Sequence, residues 1–151
     1  MKKLILLPGI IVCIALSGCL NFGKDEETTS PTPEQIARCF SEMHLNPNLK
    51  LQPLGYRLEG SGIDDGIWFK FETEANISEI FKSSIVDITK FTENSNYIHS
   101  SEMKKLKWWD TAGKTLMGGQ VELPLPNARY MNIGIEKKGK SNVVYIMWHE
   151  I

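Results

Sequence analysis

Between residues 129 and 150 the chain runs twice through the two-residue period of a β-strand. Met131, Ile133 and Ile135 alternate with Tyr130, Asn132, Gly134 and Glu136. Lys137-Lys138-Gly139-Lys140 then supplies a turn, and Val144, Ile146 and Trp148 alternate with Val143, Tyr145, Met147 and His149. Neighbouring side chains on a strand point to opposite faces. Two such runs around a glycine turn therefore predict an antiparallel hairpin with one apolar face. The opposite face, with Tyr130, Tyr145 and Met147, is unusually apolar for a solvent side. It reads either as packing under helices or as a binding patch.

The same period recurs upstream in shorter pieces. Leu49, Leu51, Leu54, Tyr56 and Leu58 form an extended segment interrupted near Pro53. Turn residues Gly60-Ser61-Gly62 and Asp64-Asp65-Gly66 lead into Ile67–Glu72, with Ile67, Phe69 and Phe71 inward and Trp68, Lys70 and Glu72 outward. The Asp64-Asp65 pair lacks the ligand ladder and terminal glutamate of a calcium loop, so it reads as the hairpin turn. Ser84–Phe91 is expected as a strand, with Val86 and Ile88 on one face. Thr92–Ser101 is a polar loop, and Gly118-Gly119 signals a bulge or bend before Gln120–Leu123.

Two segments carry helix-start chemistry. Thr32 can cap, Pro33 suits the first helical position, and Gln35 completes a capping box. Ile36, Cys39, Phe40 and Met43 then make one apolar stripe, with His44 at the helix end and Asn46-Pro47-Asn48 stopping it. Asn76 with Glu79 opens a shorter helix whose buried face is Ile77, Ile80 and Phe81. These elements predict one α+β domain over residues 33–151. It is expected to hold an antiparallel sheet of about five or six strands, one or two helices packed on one face, and a C-terminal β-hairpin.

The start of the chain has a different logic. Lys2 and Lys3 precede the uncharged run Leu4–Leu16, and Ser17-Gly18 lead to Cys19. This is the basic, apolar, small order of a secretory signal. The run of 13 residues is short against the roughly 20 a spanning helix needs, and Pro8 and Gly9 weaken it further as a helix. Leu16-Ser17-Gly18-Cys19 resembles the lipobox of bacterial lipoproteins. That resemblance implies a cleaved signal over 1–18 and a diacylglycerol on the Cys19 thiol. Residues 19–32, polar and proline-bearing, are expected as a lipidated flexible tether. Leu20, where inner-membrane lipoproteins tend to carry Asp, implies delivery to the outer membrane, facing the periplasm.

Composition then narrows the chemistry. Removal of Lys2 and Lys3 takes the side-chain charge from −1 to −3, and no basic excess points to nucleic acid. Cys13 leaves with the signal and Cys19 carries lipid, so Cys39 has no disulfide mate. On the apolar stripe it reads as a core residue. His44, His99 and His149 form no ligand pair, and no HExxH, GxSxG or phosphate loop occurs. No enzyme activity, cofactor or metal is expected. The most distinctive text is Lys104-Lys105-Leu106-Lys107-Trp108-Trp109-Asp110. It reads as a strand with one tryptophan inward and one outward, followed by a turn at Asp110–Lys114. Trp108, Trp109, Lys105, Lys107, Tyr130 and Tyr145 are the candidate binding surface. Two functions fit: a module that binds an envelope protein, of the assembly-factor, immunity or inhibitor type, or one that takes a glycan, lipid or small molecule on an aromatic sheet face.

Overall fold

The computed structural model describes residues 24–60, 65–93, 98, 106–124 and 129–150. Seven strands pair into one sheet in the order β1-β2-β3-β7-β6-β5-β4. They are β1 (Glu26–Thr28), β2 (Gln52–Glu59), β3 (Gly66–Thr73), β4 (Thr92–Glu93), β5 (Met117–Leu123), β6 (Arg129–Lys138) and β7 (Ser141–Glu150). Every pairing is antiparallel. Helix α1 (Pro33–Glu42), the one-turn α2 (Ile77–Ile80) and a 3-10 turn at Ile88–Lys90 are the helical elements. The molecule is therefore a β-rich fold, and the α+β class with five or six strands is corrected. The edge strands β1 and β4 hold three and two residues, too few to show a two-residue period in the sequence.

Other expectations change for local reasons. Ser84–Phe91 is not a strand. Val86 N–H donates to Lys82 O at 3.1 Å, and Asp87 accepts from Thr89 N–H at 3.1 Å. Such local side-chain bonds divert a β-branched run into turns. Gly118-Gly119 makes no bulge, because β5 runs in unbroken register with β6 from Met117↔Ile135 to Leu123↔Arg129. A register shift does occur between Pro53 and Gly55 in β2.

The hydrophobic core lies between one sheet face and the helices. Phe69, Phe71, Met131, Ile133, Val144 and Ile146 project from the central strands into one core with Cys39 of α1, Met43 just after it, Ile80 and Phe81. Each such side chain contributes about 1.5–3 kcal/mol on full burial, so this face dominates stability. Helix α1 starts as its residues dictate. Gln35 N–H donates to Thr32 Oγ1 at 3.3 Å, and Thr32 N–H donates to Gln35 Oε1 at 2.9 Å. It ends with Leu45 N–H on Phe40 O at 3.2 Å and His44 N–H on Ser41 O at 3.4 Å, the paired bonds of a Schellman motif. His44 takes the left-handed position of that motif with φ of 50°.

The tether reading also shifts. Glu26–Thr28 pairs with Tyr56–Leu58 as the sheet edge. Gln35 Nε2 donates to Glu26 Oε2 at 2.7 Å, and Gly60 N–H donates to Asp25 Oδ1 at 3.2 Å. The chain is thus held to the domain from Asp25 onward.

Candidate functional site

The second sheet face carries the residues the sequence marks as distinctive. Strand register sets Gly55, Lys70, Tyr145, Gly134 and Gly118 side by side in one row. Irregular chain, rather than a helix, covers this row. A Cβ at position 55 would lie 2.2 Å from Trp108, and one at position 134 would lie 2.3 Å from Ile98. The row needs glycine where the ring and the isoleucine press onto the sheet. Ile98, Leu106, Trp109 and Leu116 close over Val143 and Tyr145 as a second core. Trp109 meets Tyr145 edge to face at 5.4 Å and Trp108 at 5.6 Å, the geometry aromatic rings prefer.

Beneath these rings sits an ion-pair network. Lys70 Nζ donates to Asp110 Oδ1 at 2.5 Å and to Trp108 O at 2.8 Å. Lys114 Nζ donates to Asp110 Oδ2 at 2.9 Å, Glu136 Oε2 at 2.8 Å and Tyr145 OH at 2.9 Å. The Tyr145 hydroxyl donates to Asp110 Oδ1 at 2.9 Å. Both ammonium groups also face the Tyr145 ring, at 5.1 and 5.5 Å. Two cations and two carboxylates balance, with Lys70 buried against the sheet and Asp110 half-exposed at the edge of the cluster. Burial alone would raise the Asp110 carboxyl, but the bonds from Lys70, Lys114 and Tyr145 overcome it and hold it well below the carboxylate range. Burial would lower Lys114, yet its bonds to Glu136, Tyr145 and Asp110 raise it. Burial first, and then the Asp110 carboxylate, raises the Tyr145 phenol. Asp110, Lys114 and Tyr145 thus keep their ordinary charge states near neutrality. The cluster fastens the Asp110–Lys114 segment to the sheet and leaves no poised base.

The candidate surface residues therefore separate. Tyr145 and Trp109 are buried, which corrects their placement on a surface: the irregular segment over the sheet claims them for a core. Trp108 lies in a turn rather than a strand, half-buried, with Nε1 donating to Glu27 Oε1 at 3.3 Å. Lys107 is exposed. Lys105 and Cys19 lie outside the described residues. Tyr130 is half-buried and stacks on His149 at 5.8 Å, far along the strands from the tryptophan pair.

Two open regions remain on the described surface. One is the end of the second face where Trp68, Tyr130, Met147 and His149 are each half-buried. A row there runs Glu59, Gly66, His149, Tyr130, Glu122, next to a row of Arg57, Trp68, Met147, Asn132 and Gln120. The Trp68 ring lies over Gly66, and the Arg57 guanidinium stands 5.8 Å from that ring. The other is an open groove of about 830 Å³ at the opposite end of the sheet, lined by Asn48, Lys50, Gln52, Glu72, Glu79 and Lys140 among others. The sequence carries no periodic signal for this groove, because its walls are connections between elements. Glu72 and Lys70 project from the face opposite the main core, but Lys70 is buried there, and their partners Ser141 and Asp110 come from distant segments.

Among the described residues no group of three His, Cys, Asp or Glu is placed to hold a metal ion, and no helix is long and apolar enough to cross a membrane. The chain matches no protein-family model, no curated protein and no solved structure.

Proposed function

We propose that this chain is a lipid-anchored envelope protein, held by acyl chains on Cys19, whose domain binds a protein partner without catalysing a reaction. The carrying observation is the groove between Asn48, Lys50, Glu72, Glu79 and Lys140. Small-molecule sites are concave and mostly apolar. This groove is open, and it mixes the apolar Leu49, Leu51 and Ala75 with amides and with charges of both signs, the balance of a protein recognition surface. The aromatic residues that favour the ligand-binding alternative, Trp109 and Tyr145, are already packed into the second core. Leu20 after Cys19 supports the outer membrane as the address, with the domain facing the periplasm.

The test uses soluble residues 20–151 as bait in crosslinked envelope extract, beside the same bait carrying Lys50→Glu and Lys140→Glu. The reading predicts one partner at near-equal amounts with the first bait and its loss with the second. A folded bait that captures no protein, or captures the same protein after both substitutions, contradicts it. Cys19→Ala is expected to release the protein from membranes, and a variant that still fractionates with them contradicts the anchor.

A further inference from the structure

The leash between anchor and domain is short. With acyl chains on Cys19 and Asp25 already bonded to Gly60, only residues 20–25 separate the lipid from β1. That stretch of six residues spans at most about 22 Å. Strands β6 and β7 each hold ten residues, so the sheet is about 34 Å long in the strand direction. A leash shorter than the body it holds confines one end of that body to the bilayer. The confined end is identified by Gly60, which follows β2 directly and therefore lies beside the start of β3, the start of β6 and the end of β7.

That end carries interface chemistry. Trp68 and Tyr130 are half-buried, and these two residue types settle where one side is apolar and the other wet. They stand beside Met147 and His149, with the exposed carboxylate of Glu122 and the half-buried one of Glu59 closing the row on either side. Arg57 holds Glu59 and reaches Glu27 at 4.0 Å, and Arg129 reaches Glu42 at 3.3 Å. We propose that this end rests on the phospholipid headgroup layer of the bilayer that holds the acyl chains of Cys19, with Trp68 and Tyr130 at the interface. A purely anionic surface fits poorly, since carboxylates outnumber cations in this row. The proposal rests on acylation of Cys19 and fixes the direction of the partner groove, whose Lys140 and Ser141 wall stands at the opposite end of the strands.

The experiment uses the full acylated chain in vesicles of phosphatidylethanolamine with a minor share of phosphatidylglycerol and an acceptor dye on the headgroups. Donor dyes go on Glu122→Cys and, separately, on Lys138→Cys. Both sites are exposed, whereas Cys39 is 0% exposed and stays unlabelled. Glu122 pairs with Tyr130, eight residues along β6 from Lys138, a separation of about 27 Å. Energy transfer is expected to be severalfold stronger from position 122. Equal transfer, as from a tumbling or edge-lying domain, or stronger transfer from position 138, overturns the orientation. The acyl mass on Cys19 is read on the same sample. Its absence overturns the anchored reading and the orientation together, whereas equal transfer from acylated protein overturns the orientation alone.

Discussion

Single residues show how tightly the main core is specified. Cys39 has no exposed surface, and burial first of all pushes its thiol up to about 12. A thiol in that state is neither nucleophile nor redox sensor. Native protein is expected to react with a bulky thiol reagent only at its unfolding rate, and fast labelling without denaturant contradicts the packing. Cys39→Ala removes one buried sulfur and is expected to cost roughly 1 kcal/mol, read from urea unfolding. His44 presents the reverse case. Its φ of 50° is a conformation glycine accepts without the Cβ penalty. His44→Gly is expected to stabilise the protein by roughly 1 kcal/mol, and a loss of stability contradicts the Schellman ending of α1. Thr32, Pro33 and Gln35 made the start of that helix legible in sequence. Its end was not legible, because a histidine stands where a glycine signal belongs.

At the scale of elements, the covering segment over the second face depends on one ionic cluster and two glycines. Asp110→Asn keeps one carbonyl acceptor but removes the charge that pairs with the Lys70 and Lys114 ammonium groups. The expected cost is about 1–2 kcal/mol, at the low end because Asp110 is half-exposed. The fold holds the Asp110 carboxyl below its ordinary 3.8. Its contribution is therefore intact above that pH and lost as pH falls through the folded value. The fold holds Lys114 above 10.5 and Tyr145 above 10.0. Their contribution is intact below those values and lost as pH rises through the folded ones. Urea midpoints measured across pH are expected to fall at both extremes, with Asp110→Asn flattening the acid limb and Lys114→Met the alkaline limb. Unchanged limbs in both variants contradict the network. Gly55→Ala drives a methyl into the Trp108 ring and is expected to cost about 1–3 kcal/mol while exposing that tryptophan to quenchers. The turn at Asp110–Lys114 was readable, but its partners were not. Lys70, Glu136 and Tyr145 are far from that turn in the chain, and an irregular cover has no period. The hairpin of β6 and β7 was readable, because ten-residue strands with one buried face display their alternation in full.

At the scale of the molecule, the described residues form a seven-stranded sheet with unlike covers, helices on one face and irregular chain on part of the other. Helices announce themselves through stripes and caps, so the α+β class followed naturally from α1 and α2. The sheet is wider than it reads because its edges are two- and three-residue strands that only pairing reveals. The first of those edges holds the chain to the domain from Asp25 onward. The proposed anchor and the proposed orientation both depend on acylation of Cys19. The most direct measurement is the intact mass of the protein purified from envelopes in mild detergent. The account predicts a chain that begins at Cys19 and carries the added mass of a diacylglycerol, with or without a further acyl chain on the new amine. A chain that retains residues 1–18, or one cut nearby with an unmodified Cys19, contradicts it.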